Sequence, residues 1–188
     1  MQVPAPLPAF EADPSVDRAL RDDLLRLWVD VADAGGSVGF VPPVGEDDVR
    51  PELLRYLRDM ADGRARLVVG RDGDGRAAAS AFLVRDAHRL MRHWAWLYIV
   101  MVHPSLQGKG LGRALMSAVA ETARAWDGIE ALRLTHRSGR GLEHFYGACG
   151  YREVGRVPGA FRVAEEQYCD EVTQWLTLTP PVRKETTP

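Results

Sequence analysis

Along the 188 residues the spacing of apolar positions changes several times, and each change marks a new element. Val16, Leu20, Leu24, Leu27, Trp28 and Val31 recur at helical spacing, which predicts a helix capped at Asp13 or Ser15 and running to about Asp33. A glycine-rich apolar loop, Ala34 to Pro43, comes next. Asp47 or Asp48 then opens a second helix with Leu53, Leu54, Leu57 and Met60 inward and Pro51 tolerated in its first turn. The spacing tightens to strands over Arg66–Gly70 and Ala77–Val84, joined by the hairpin turn Asp72-Gly-Asp-Gly75. His93–Val102 is a long strand, Leu111–Trp126 a helix, Glu130–Thr135 a short strand and Gly141–Ala148 a short helix that Gly150 ends at positive φ. Tyr151–Gly155 and Val172–Leu178 are the closing strands, and a short edge strand is expected near Leu7 to Ala12. This order predicts an α/β (α+β) fold of three layers, a central mixed sheet flanked by helices.

One junction carries candidate chemistry. The strand ends where Pro104 removes a ladder donor and biases His103 towards an extended shape. The helical period starts at Leu111, continuing through Ala114, Leu115, Ala118, Val119, Thr122 and Ala123. Between them lies Gln107-Gly-Lys-Gly-Leu-Gly112, a glycine-rich turn that feeds a helix N-terminus. The first N–H groups of a helix lack partners, and its dipole places about +0.5 charge there. Glycines let the backbone approach a ligand without Cβ interference, so the turn suits an anion such as a phosphate. Lys109 and Arg113 add positive charge beside it.

The turn is not a Walker A loop, which requires Gly-x-x-x-x-Gly-Lys-Ser/Thr. A dinucleotide fingerprint starting at Gly108 requires Gly or Ala where Arg113 stands. Gly73-x-Gly75-x-x-Ala78 imitates that fingerprint but opens a strand rather than a helix. What fits is Gln-x-x-Gly-x-Gly after a strand ending Val-x-Pro, and this pattern resembles the acyl-coenzyme A signature of the GNAT N-acetyltransferase superfamily. A second segment, Leu142-Glu-His-Phe-Tyr-Gly-Ala-Cys-Gly-Tyr151, is similar to that superfamily's Phe-Tyr-x-x-x-Gly-Phe/Tyr segment. More loosely, the tail Gly155 to Trp175 resembles members that inactivate small amine antibiotics, including the tabtoxin-resistance acetyltransferases.

The resemblance implies acetyl-coenzyme A bound between two splayed parallel strands, the one ending at Val102 and the one at Ala131 to Thr135. It implies a cofactor site of Val100, Met101, Val102, Gln107, Gly108, Lys109, Gly110, Leu111, Gly112 and Arg113, with Tyr146 beside the thioester. Val100 and Val102 would offer backbone groups to the pantetheine arm, and Gln107 would brace the turn. Tyr146 would be the general acid for the leaving thiolate, since a phenol with a reference pKa near ~10 suits donation at neutral pH. Many members carry a glutamate base on the strand before the signature; Trp96 to Val102 contains no acid. His136, just after the short strand, is the candidate proton acceptor, with Glu143, Asp170-Glu171 or a water chain as alternatives. The acceptor pocket is expected from the Gly35–Pro43 loop, Trp94 or Trp96, and residues near Tyr168 to Trp175, with Phe40, Trp96 and Trp175 as an apolar wall.

Composition narrows the surroundings. A net charge of −2, with arginines mixed among acids, offers no nucleic-acid surface or polybasic membrane patch. No apolar run is long enough to span a bilayer, and no basic-then-apolar leader opens the chain. Cys149 and Cys169 have no metal-ligand spacing, so no metal site is expected, and both are read as reduced structural thiols of a cytoplasmic protein. The expected organisation is a loose tail over 1–12, one catalytic domain over 13–179 and a frayed tail over 180–188. The function read from these features is transfer of acetyl from acetyl-coenzyme A to the primary amine of a small molecule, by a monomer or homodimer. A protein or peptide N-acetyltransferase and a non-catalytic coenzyme A-binding module are the alternatives.

Overall fold

Leu67, Val68 and Val69 are consecutive and all fully buried, which a strand achieves only when both of its faces are covered. Leu67 and Val69 pack with one set of helices and Val68 with another, so two cores lie on opposite sides of one sheet. The structure, a computed structural model, describes residues 9–178. The expected C-terminal tail 180–188 and most of the expected N-terminal tail lie outside the described residues.

In chain order the elements are β1 (Phe10–Ala12), α1 (Arg18–Asp33), α2 (Glu46–Ala61), β2 (Ala65–Arg71), β3 (Ala77–Arg85), β4 (Trp94–Val102), α3 (Leu111–Arg124), β5 (Ala131–Arg137), α4 (Leu142–Ala148), β6 (Arg152–Ala164) and β7 (Gln167–Thr177). The seven strands form one mixed sheet in the order β1-β2-β3-β4-β5-β7-β6, with β4 and β5 parallel. Helices α1 and α2 cover one face through Leu24, Leu27, Trp28, Leu53 and Tyr56; α3 and α4 cover the other through Leu115, Val119 and Tyr146. This is the predicted three-layer mixed-sheet architecture. No described helix is long and apolar enough to cross a membrane.

Local chemistry shifts several boundaries. The cap of α1 is Asp17, whose carboxylate accepts from the Leu20 N–H at 2.8 Å, rather than Asp13 or Ser15. Asp13 instead binds the Leu67 N–H and Arg66, fastening β1 to β2. Helix α2 starts earlier than predicted, at Glu46, because Asp48 reaches back to the Gly45 N–H at 2.8 Å. Pro51 therefore falls in the second turn, and Val49 and Tyr56 join Leu53 in the core while Leu54 stays partly exposed. The last two strands are far longer than predicted. They form a hairpin of 13 and 11 residues whose outer strand, β6, is almost wholly exposed and so has no apolar alternation to betray it.

Candidate active site

Parallel strands β4 and β5 pair only at Trp94 with Ala131, Ala95 with Leu132 and Trp96 with Arg133. Beyond Trp96 they separate. The cause lies in β4, whose register against β3 jumps between Ser80–Met101 and Phe82–Tyr98, a bulge that re-aims the strand. At the bulge Ile99 has φ 51, a left-handed conformation in which a β-branched residue is a true outlier, costing about 1–3 kcal/mol. The edge of β4 that faces β5 is thus left without ladder partners from Leu97 to Val102. A cleft of about 690 Å³ fills the gap, lined by Leu97, Ile99, Val100 and Val102 on one side and by Leu134, Thr135 and His136 on the other.

The cleft floor continues into the glycine turn. The Gln107 side-chain amide donates to the Val102 carbonyl at 3.0 Å, and Lys109 Nζ donates to the Ser105 carbonyl at 2.9 Å. These bonds hold the turn while Gly108 and Gly110 take φ of 73 and 86. Gly110 is the N-cap of α3 and supplies no side-chain cap, and the first turn of α3 contains no acid. Its orphan N–H groups therefore remain available, and Arg113 adds charge within the same turn. A Cβ added at Gly108 or Gly110 would meet nothing within 4 Å, so the cradle is open, whereas one at Gly112 would sit 3.3 Å from the Phe145 ring. This donor set fits a diphosphate. Of the sequence-derived cofactor residues, Val100, Val102, Gln107, Gly108, Gly110, Gly112, Arg113 and Tyr146 line the cleft. Met101 and Leu111 point into the cores, and the Lys109 ammonium is taken up by the turn itself.

Tyr146 stands on α4 with 7% of its surface exposed and its ring held by Phe145 at 5.1 Å, Tyr151 at 5.7 Å and His136 at 5.5 Å. Among the described residues its hydroxyl has no hydrogen-bond partner. Burial, with a smaller contribution from Cys149, pushes the phenol's pKa above its ordinary value. His136 does not follow the short strand, as the sequence suggested, but lies inside β5, paired with Val172 and 4% exposed. Its Nδ1 lies 3.0 Å from the Arg137 carbonyl, which can only accept, so Nδ1 carries a proton and, in the neutral ring, Nε2 is the nitrogen with the lone pair. Nε2 is buried and has no partner among the described residues.

Alternation along β5 sends Arg137 to the opposite face, towards the loop after α1. Arg137 donates to Ser37 Oγ at 3.2 Å and to the Gly36 carbonyl at 2.9 Å, and Arg140 donates to the Gly35 carbonyl. Gly35 to Val38 thereby form part of the cleft wall, as the sequence suggested for the start of that loop. The proposed aromatic wall does not line it. Phe40 packs edge-on against Trp28 at 5.9 Å in the core beneath α1. Trp96 lies where β4 and β5 are still paired, stacked on Tyr98 at 5.5 Å and under Arg133 at 4.5 Å. Trp175 pairs across from Arg133 and packs on Trp94 at 5.8 Å, on the same closed part of the sheet. Sequence reasoning missed Ile99, Phe145, Arg137 and Arg140. Only the glycines of Arg137-Ser-Gly-Arg-Gly141 hinted at a turn there, and Gly139 and Gly141 do take φ of 80 and 69.

A statistical model of the family described as acetyltransferase (GNAT) matches residues 16–151. Among solved structures, yncA from Salmonella typhimurium, determined with its cofactor acetyl-CoA, superposes with a TM-score of 0.74 at 18% identity, covering 95% of this chain and 99% of that one. A ribosomal-protein-alanine N-acetyltransferase from Brucella melitensis gives 0.72 at 18% identity, with coverage of 90% and 99%. A spermidine N-acetyltransferase SpeG chimera from Vibrio cholerae and hSSAT gives 0.70 at 17% identity, with coverage of 90% and 95%. At these identities the structural likeness speaks to the fold.

Proposed function

Because the chain belongs to the acetyltransferase (GNAT) family, and so is an acyltransferase that uses acetyl-coenzyme A, we propose that it acetylates the primary amine of a small molecule by direct attack within a ternary complex. The observation that carries this reading is the continuity of the cleft, from the uncapped N-terminus of α3, along the unpaired edge of β4, to Tyr146. In this reading residues 13–179 act as one catalytic unit in the cytoplasm, as a monomer or homodimer.

The residues divide the work. Backbone N–H groups of Gly108 to Gly112 and the Arg113 guanidinium grip the diphosphate, and open peptide groups of Val100 and Val102 align the pantetheine arm. Such positioning supplies up to ~7–11 kcal/mol in well-oriented reactions. An N–H freed by the bulge at Ile99 and Val100 would serve as the donor to the thioester oxygen, where charge gathers during transfer. As the amine nitrogen bonds to the carbonyl carbon and the carbon–sulfur bond breaks, Tyr146 gives its hydroxyl proton to the sulfur. His136 Nε2, an uncompensated buried acceptor, takes the proton that the amine loses.

Thiol release from acetyl-coenzyme A, measured across a panel of amines, tests the reading. Turnover that depends on a small amine is the expected result. Tight binding of the acetyl donor with no release for any amine would leave a binding module instead, and release only with peptide N-termini would move the acceptor to proteins.

A further inference from the structure

Many arginines of this chain lie against carboxylates: Arg18, Arg50, Arg55, Arg64 and Arg66 each have one within 4.0 Å. Arg137 and Arg140 do not. Among the described residues their recorded partners are the Gly35 and Gly36 carbonyls and the Ser37 hydroxyl, all neutral. The cross-strand neighbour of Arg137 is Glu171, yet the two form no ion pair. Each guanidinium has five N–H donors, and these contacts leave several unspent. Arg137 is partly buried, and burial together with the charge of Arg140 lowers its pKa. Two like charges have thus been brought together without an anion to offset them.

The surroundings sharpen the point. No Asp or Glu stands among the described residues that line the cleft. Two guanidinium groups line the cleft, Arg140 and Arg113, and Arg113 belongs to α3 and the phosphate cradle on one face of the sheet. Arg137 and Arg140 instead reach the loop after α1, on the face opposite Tyr146 and α4. An acceptor entering from the α1 side therefore meets the Arg140 charge and no carboxylate in the cleft lining. A polycationic amine would be repelled there, while an oxyanion would find planar donors suited to bidentate binding.

We propose that the acceptor is a small amine that also bears an oxyanion, a carboxylate or phosphonate on an amino-acid-like skeleton, and that Arg140 binds that oxyanion, with Arg137 adding positive charge behind the Gly36–Ser37 wall. The assignment deepens the transferase reading above and rests on it. Arg140 is exposed and can be replaced without opening the core.

The test is steady-state thiol release by the full chain and by Arg140→Gln, using matched acceptors: an amino acid, its methyl ester, the corresponding aminophosphonate and a linear polyamine. The wild type should prefer the free acid or the phosphonate over the ester by about 10- to 100-fold in kcat/KM, the range of a charge-assisted hydrogen bond. Which of the two is preferred identifies the oxyanion. In Arg140→Gln that ratio should fall towards one through the acceptor KM, with the KM for acetyl-coenzyme A unchanged. A merely structural strap on the Gly35 loop would weaken acid and ester alike and leave the ratio intact, which would overturn the proposal. Turnover confined to esters or polyamines would overturn it while sparing the transferase reading. No turnover with any amine, despite binding of the acetyl donor, would remove both.

Discussion

Tyr146→Phe separates chemistry from packing more cleanly than any other single change. The phenyl ring keeps its contacts with His136, Phe145 and Tyr151 at 5.1 to 5.7 Å. The deleted hydroxyl had no protein partner among the described residues, so no hydrogen bond is broken and stability should change by no more than about 0.5 kcal/mol. A positioned general acid contributes about 10²–10⁴ in rate, equivalent to about 2.7–5.5 kcal/mol of barrier. kcat should therefore fall by that factor while the Kd for acetyl-coenzyme A stays within about twofold. Burial holds the phenol above its ordinary pKa, so the acid form persists as pH rises, and the wild-type kcat should show no loss from this group below about pH 10. The assay is single-turnover thiol release at saturating acetyl donor, from pH 6 to pH 10, with a thermal melt alongside. A variant that melts like the wild type and retains kcat within about threefold would refute the acid role.

Four further outcomes follow. His136→Gln should lower kcat by about 10²–10⁴ while leaving the Kd for acetyl-coenzyme A within about twofold, since an amide cannot accept the amine's proton; an unchanged kcat would return proton removal to another group. Tyr56, Tyr146 and Tyr151 are all buried with raised pKa values, Tyr56 pushed up to about 12. Unfolded tyrosines ionise near about pH 10 whereas these stay protonated, so urea stability should hold below about pH 10 and then fall by about 1.4 kcal/mol per pH unit per tyrosine, about 4 for the three; a flat profile to pH 11 would contradict their burial. Gly110→Ala meets no atom but is strained at φ 86, so it should lose about 1 kcal/mol of stability and weaken acetyl-coenzyme A binding, whereas Gly112→Ala presses the Phe145 ring at 3.3 Å and should lower kcat more than affinity; equal effects in calorimetry and kinetics would argue against separate roles. Trp175→Ala should cost roughly 2 kcal/mol by urea melt and leave the acceptor KM unchanged, because Trp175 packs on Trp94 away from the cleft; a raised KM would restore it to the acceptor wall.

What the amino-acid sequence determined by itself is local in range. The strand that stops at Pro104, the glycine turn over Gln107 to Gly112 and the helix from Leu111 follow from side-chain period and backbone freedom within a few residues. They appear in the structure nearly where the sequence placed them. Gly150 at φ 89 and the turn over Asp72 to Gly75 belong to the same class. Tertiary structure decided everything that depends on distant partners. The separation of β4 from β5 arises where β4 bulges against β3 at Ile99, and no period in Trp96 to Val102 reports a mismatch with another strand. His136 is buried because β7 pairs beside it, and Arg137 and Arg140 meet residues about a hundred positions earlier in the chain. The same aromatic side chains that read as a pocket wall, Phe40, Trp96 and Trp175, went into packing. An aromatic residue is driven out of water equally well by a core or by a cleft, and only the course of the backbone settles which one it fills.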